Sequence, residues 1–370
     1  MNSNQLDTDA KFLKIAAQLA LRGHGCVEPN PMVGCVVVNR DGVIVGEGFH
    51  RRYGEAHAEP IALAAAGNRA RGATVYVTLE PCGHFGQTPP CTEQLIQHQV
   101  AKVVIGSRDP FPPAAGGINI LENAGIRTVL RDDIEEVQAL NAPFIHRLTT
   151  KRPWVIAKWA QTLDGAIATA SGDSKWISSS VSRSMVHRER GRCDAILCGI
   201  GTVIADNPML NARGVRKRRT ALRVIYDAHL EIPVDSKLAN TAGDPPVLIG
   251  CSAEKMDSPK AKELEKAGMT LLPLASAEPL KELLEKLYSD YNVSSVMVEA
   301  GGGLLGSLLK SQLMNAALVF TAPRILGEKD APRAVRGLAP SCMAEAKDAK
   351  VIWAGLRGGD IAAWYHFPGT

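Results

Sequence analysis

His57-Ala58-Glu59-Pro60 and Pro81-Cys82-Gly83-His84-Phe85-Gly86-Gln87-Thr88-Pro89-Pro90-Cys91 are the two segments from which the chain is best read. One imidazole and two thiolates balance the charge of Zn²⁺ and leave a fourth coordination position for water. The metal lowers the pKa of such a water towards neutrality. A carboxylate outside the ligand set must then carry a proton from the water to a departing amine. His57, Cys82 and Cys91 are therefore the expected zinc ligands, and Glu59 the expected catalytic proton carrier. Taken singly, each of these residues is more often structural, the cysteines as small apolar groups. Their combination, with a proline beside each cysteine, favours the metal. Eight residues separate the cysteines, where the commonest zinc deaminases have a Cys-x-x-Cys pair.

Outward from these segments, helices and strands alternate. Helical spacing runs over 11–22, and apolar strands at 33–38 and 43–49 flank Asn39-Arg40-Asp41-Gly42 as a hairpin. A helix is predicted from His57 to about Gly72, then a strand over 74–79 that delivers Cys82, and a helix from about Cys91. Strands at 102–106 and 127–130 and a helix over 132–148 complete the first half. Ligands at helix starts and strand ends place the site along one edge of an α/β sheet. Thr149-Thr150-Lys151-Arg152-Pro153 reads as the joint between domains 1–150 and 151–370. Beyond it, strands are expected near 154–159, 195–198, 222–226, 247–249, 296–298 and 362–367. Helices are expected over 180–190, 259–267, 279–287 and 304–312.

The chain has 370 residues, enough for about two domains. Its net charge of +4 suits anionic small molecules and lacks the clustered excess of a nucleic-acid binder. Eight cysteines and a polar opening without a secretory pattern imply a reducing, cytoplasmic setting. No apolar run reaches the length of a membrane span.

In the second half, Gly199-Ile200-Gly201-Thr202 and Glu299-Ala300-Gly301-Gly302-Gly303 could bring backbone close to phosphates or a dinucleotide. Neither meets Gly-x-Gly-x-x-Gly, so a nicotinamide domain here should have another fold than the doubly wound one. The basic run 216–219 reads as a solvated loop, Cys193 and Cys198 as core, and His187 as a surface or packing residue.

With these motifs in order, the chain resembles the bifunctional deaminase–reductases of riboflavin biosynthesis, the RibD type. The resemblance is carried by Pro29-Asn30-Pro31, His57-Ala-Glu59, the Cys82–Cys91 loop, Arg108-Asp109-Pro110, Lys158-Trp159-Ala160, Gly172-Asp-Ser-Lys-Trp-Ile-Ser178, Gly199–Pro208 and Glu299–Gly306. It implies a cytidine-deaminase-like three-layer α/β domain followed by a dihydrofolate-reductase-like α/β domain. It also implies two reactions: hydrolytic deamination of 2,5-diamino-6-(5-phosphoribosylamino)pyrimidin-4-one, then NADPH-dependent reduction of the ribosyl chain to ribityl. Asn30, His50, His84 and Asp109 match deaminase substrate contacts. Lys158, Ser174, Arg190, Asp206, Leu210, Arg213 and Glu299 match reductase substrate contacts. Ala160, Trp176, Ser178, Gly199, Gly201, Thr202, Gly301, Gly302 and Gly303 match the cofactor side. The expected assembly is a homo-oligomer, a dimer or a tetramer.

Departures accompany the resemblance. Gln87 stands where the family has a basic residue, Phe111 where it has Asn, Ala166 where it has Lys and Asn207 where it has Asp, and the 112–118 stretch is one residue short. Losing a charged phosphate contact costs about 1.5–3 kcal/mol, and Arg51 or Arg108 is the candidate replacement. Two other readings compete: a zinc deaminase of another base or nucleoside, and a reductase whose first domain is a zinc-bearing docking module.

Overall fold

The computed structural model describes residues 3–85 and 89–369. The chain divides into two compact units, Met1–Thr150 and Lys151–Thr370.

The first unit runs α1 (Ser3–Ala20), β1 (Gly34–Val38), β2 (Ile44–Phe49), α2 (Ala58–Ala66), β3 (Thr74–Val77), α3 (Cys91–Gln97), β4 (Lys102–Ile105), α4 (Gly117–Asn123), β5 (Arg127–Leu130) and α5 (Glu135–Thr150). Its sheet has the order β2-β1-β3-β4-β5. The first two pairings are antiparallel and the β3–β4 and β4–β5 pairings parallel. Successive strand residues face opposite sides, so Cys35 and Val37 enter one core with Leu63, Leu95 and Leu121, while Val36 and Val38 enter another with Phe12, Leu13, Val137 and Leu140. Helices cover both faces, giving the expected three layers.

The seat of α2 depends on two glycines of β2. A Cβ on Gly46 would lie 2.2 Å from the Ala62 carbonyl oxygen, and one on Gly48 2.3 Å from that of Ala58. Backbone thus packs directly on backbone, and α2 is fixed at the end that begins with His57. The helix is shorter than the sequence predicts: it stops at Ala66, where Gly67 takes φ 57°, and a 3-10 turn over Gly67–Ala70 follows.

The second unit runs β6 (Trp154–Gln161), α6 (Ser180–Arg190), β7 (Ala195–Gly199), α7 (Ile200–Asp206), β8 (Leu222–Tyr226), β9 (Val247–Ser252), α8 (Pro259–Lys266), β10 (Thr270–Leu274), α9 (Pro279–Ser289), β11 (Ser295–Val298), α10 (Gly302–Lys310), β12 (Ala316–Thr321), β13 (Lys350–Arg357) and β14 (Asp360–His366). The nine strands have the order β10-β9-β8-β7-β11-β6-β12-β14-β13. Pairings from β10 through β12 are parallel. The β12–β14 and β13–β14 pairings are antiparallel. Parallel strands buried on both faces read as near-continuous apolar runs; Ile196 and Ile225 fill one core, Leu197 and Val224 the other. The carboxyl ends of β7 and β11, at the middle of the sheet, open onto the second site, as open α/β sheets dispose their ligands.

Candidate active sites

In the first unit, His57 is the residue before α2 and adopts an extended backbone (φ −68°, ψ 174°). Glu59 lies in the first turn and is 3% exposed. Cys82 follows β3, and Cys91 is the first residue of α3, after Pro90. His57 Nδ1 lies 3.3 Å from Cys91 Sγ and 3.6 Å from Cys82 Sγ. Tetrahedral Zn–N and Zn–S bonds separate such ligand atoms by about 3.6 Å, so the three side chains fit one ion. They are also the group of metal-binding side chains that the described residues bring within 4.8 Å of one another. The donor chemistry agrees: Cys82 Sγ accepts from the Cys91 thiol, from His57 and from the Cys91 backbone N–H, and is held well below the usual thiol range.

Glu59 lines the same pocket. Burial pushes its carboxyl up to about 7, against the pull of His57. Its Oε2 is buried without a hydrogen-bond partner among the described residues. A carboxyl in that state holds a proton near neutrality and has a free oxygen with which to pass it on.

The pocket encloses about 330 Å³ and gathers Asn30, His50, His57, Glu59, Cys82, His84 and Asp109. Cys91 is fully buried behind it. His50 Nδ1 donates to the Ala56 carbonyl at 3.0 Å, so Nε2 accepts from Asn30 Nδ2 at 3.4 Å. Burial lowers the His50 pKa and keeps the ring neutral. Asp109 accepts from the Phe111 N–H at 2.8 Å, and burial raises it to about 6. His84 Nδ1 is buried and has no partner among the described residues. Gln87 lies outside the described residues, and Phe111 lines the pocket, half exposed. Neither Arg51 nor Arg108 is on the wall: the Arg51 guanidinium sits 5.8 Å from the Phe49 ring, and Arg108 is exposed.

Two contributions escaped the sequence reading. Buried Glu80 accepts from the backbone N–H groups of Asp109 (3.2 Å), Gly116 (3.1 Å) and Ile118 (3.0 Å), and so ties the 109–118 loop to the strand that carries Cys82. Phe144, Arg147 and Leu148 of α5 close another side. Their i, i+3, i+4 spacing was the available signal.

The second unit has a cavity of about 1230 Å³. It collects Lys158, Ala160, Ser174, Trp176, Arg190, Gly199, Gly201, Thr202, Asp206, Leu210, Arg213, Glu299 and Gly301, Gly302 and Gly303. Ser178 is not on that wall; it precedes α6, where its carbonyl accepts from Arg183 Nη1. The centre is Glu299, 8% exposed. Lys158 Nζ meets its Oε2 at 2.6 Å, and Arg190 binds both oxygens, through Nε at 2.5 Å and Nη2 at 2.9 Å. Burial raises the Glu299 pKa, but the two cations outweigh it and hold the carboxyl well below the ordinary range. An ammonium has three N–H donors, of which Glu299 takes one from Lys158.

The two glycine motifs meet in space: the Gly301 N–H donates to Thr202 Oγ1 at 3.1 Å. His187 also proves to be part of the surrounding frame, since its Nδ1 accepts from the Arg213 N–H at 3.3 Å. Asn207 caps α7 in the left-handed region at φ 41°, which Asn adopts more readily than most residues. Sequence reading missed Lys237, Arg336 and the 277–281 stretch on this wall, which enter from segments without a motif.

A family model described as the RibD C-terminal domain matches residues 153–353, and one described as the cytidine and deoxycytidylate deaminase zinc-binding region matches residues 6–107. The riboflavin biosynthesis protein RibD of Aquifex aeolicus is 42% identical over 323 residues, 87% of this chain and 89% of the relative. That of Actinobacillus pleuropneumoniae is 39% identical over 368 residues, 98% and 96% of the two chains. Among solved structures, Acinetobacter baumannii RibD has a TM-score of 0.78 at 36% identity, covering 98% of this chain and 99% of its own. A Thermotoga maritima diaminohydroxyphosphoribosylaminopyrimidine deaminase/5-amino-6-(5-phosphoribosylamino)uracil reductase has a TM-score of 0.79 at 34% identity, with the same coverage.

Proposed function

The chain belongs to the RibD family, the bifunctional deaminase–reductases of riboflavin biosynthesis, and from that premise we propose how its residues divide the two reactions. Residues 1–150 deaminate 2,5-diamino-6-(5-phosphoribosylamino)pyrimidin-4-one, and residues 151–370 reduce the ribosyl chain of the product.

In the first site, His57, Cys82 and Cys91 hold zinc, which when bound supplies Lewis-acid activation of a water. Glu59 takes a proton and returns it to the leaving amine, a task that its burial and its unpartnered Oε2 permit. Asn30 and neutral His50 form one hydrogen-bonded side of the pocket and orient the pyrimidine. Asp109, fixed by the Phe111 N–H and by the Glu80 scaffold, faces it with His84.

In the second site, NADPH when bound supplies the hydride. Gly302 and Gly303 open α10 and offer backbone N–H groups to the anionic part of a dinucleotide, with Gly301, Thr202, Gly199, Gly201, Ala160 and Trp176 along the same wall. Lys158 and Arg190, positioned by Glu299, bind the sugar phosphate side with Ser174, Asp206, Leu210 and Arg213. The remaining work is alignment of donor and acceptor carbons in a confined space.

The observation that carries this reading is the convergence of Glu59 with a cluster of three zinc-type ligands, His57 and Cys82 on the same pocket wall and Cys91 buried behind it. Its test is a split assay on zinc-loaded protein with the diaminopyrimidinone ribotide. Ammonia release without NADPH, followed by NADPH oxidation after its addition, is expected. NADPH oxidation of the deaminated substrate without any ammonia release would reduce the first unit to a docking module.

The reading extends to a homo-oligomeric cytoplasmic enzyme that takes small molecules rather than nucleic acid. None of the eight cysteines is in a disulfide, which supports a reducing compartment, and no helix among the described residues is long and apolar enough to cross a membrane.

A further inference from the structure

The first pocket must admit a phosphate dianion, yet Glu55, Glu59, Glu80 and Asp109 all line it. Among its described lining residues, Arg147 is the one Arg or Lys side chain. We infer that Arg147 receives the phosphoribosyl phosphate of the deaminase substrate and sets the preference for a phosphorylated over an unphosphorylated pyrimidine. The inference rests on the deaminase reading of this unit.

The packing of α5 supports it. Val137 and Leu140 enter the core under the sheet, and fully buried Asn141 donates from Nδ2 to the Thr78 carbonyl at 2.8 Å. Gln138 Nε2 donates to the Gly106 carbonyl at 2.9 Å. These contacts pin the middle of the helix to the ends of the strands that carry the zinc loop and Asp109. The following turn then projects Phe144, Arg147 and Leu148 over the pocket. Arg147 is half-buried, so its guanidinium acts where solvent screening is reduced. A planar guanidinium can bind two phosphate oxygens at once. Phe111, in the position where the family resemblance implies Asn, brings no polar group to the wall and leaves the anion to Arg147.

The test compares the ribotide with its dephosphorylated nucleoside in zinc-loaded full-length protein, with ammonia release measured without NADPH. Arg147→Ala is expected to raise KM for the ribotide about 10- to 100-fold, with kcat and nucleoside kinetics preserved. Arg147→Lys should recover part of the loss. Ribose 5-phosphate should inhibit the wild type and lose potency in Arg147→Ala, whereas ribose should distinguish the two proteins not at all. Zinc content and melting temperature identify a folding defect, in which case Arg147→Gln replaces the alanine variant. An unchanged ribotide KM, or an equal loss on ribotide and nucleoside, would overturn the assignment. If wild-type protein releases no ammonia, calorimetric titration with the ribotide separates the two claims. A fall from two phosphate-preferring sites per chain to one in Arg147→Ala would keep the anion site and discard the deaminase reading. No such fall would discard both.

Discussion

Glu59 and Glu299 are both buried glutamates, 3% and 8% exposed, yet they face opposite electrostatic surroundings. Glu59 has an oxygen without a partner, and burial lifts its carboxyl to about 7. Glu299 experiences the same burial but is clasped by Arg190 and Lys158, which hold it well below the ordinary range. Burial sets the cost of a charge, and the neighbours decide whether the charge persists. The first unit thereby keeps a carboxyl that can exchange a proton; the second keeps one that fixes two cations in place and exchanges none.

The largest effect that sharpens this contrast is removal of zinc. Chelation should abolish ammonia release while leaving NADPH oxidation with deaminated substrate unchanged, as measured by the two half-assays. A parallel fall of both would break the separation of the units' chemistry.

Next in size is Glu299→Gln. Removing one member of a buried ion cluster leaves the cations uncompensated and typically costs about 3–5 kcal/mol. Calorimetric melting should therefore show a lower transition for the second unit, together with weakened reductase activity. The sign of the pH effect follows from the depressed folded-state pKa of Glu299. Its contribution is fully present above the unfolded carboxylate value of about 4.3 and is lost as pH falls below it. Wild type should therefore lose stability on acidification more steeply than Glu299→Gln, and matching acid limbs would contradict the ionised assignment.

The smallest effect concerns Ser178, which lies off the cavity wall. Ser178→Ala should leave KM for NADPH unchanged; a clear rise would restore it to the cofactor contacts.

What the sequence made legible follows the same contrast. Zinc ligation restricts residue type and spacing, so His57, Glu59, Cys82 and Cys91 could be read from two short segments. Arg147 and Glu80 could not, because their roles depend on how α5 and the 109–118 loop pack. In the second unit, central strands such as β7 and β8 were readable as apolar runs between turns. Pro273 argues against a strand over 270–274, yet β10 is an edge, where proline is tolerated. β13, largely exposed on the opposite edge, lacks the burial pattern that marks a strand. The apolar run of β12 is equally compatible with a buried helix until its partners β6 and β14 are known. Helix α7 lies hidden in the glycine motif, because Gly199-Ile200-Gly201-Thr202 reads as a close-approach turn rather than the start of a helix.

The most direct test sets Glu59→Gln against Glu299→Gln in the two half-assays, each on zinc-loaded protein. Glu59→Gln should lower ammonia release by about 10²–10⁴-fold and leave NADPH oxidation of the deaminated substrate intact, while Glu299→Gln should weaken NADPH oxidation and leave ammonia release intact. Ammonia release at the wild-type rate in Glu59→Gln, or loss of both reactions in either variant, would contradict the account.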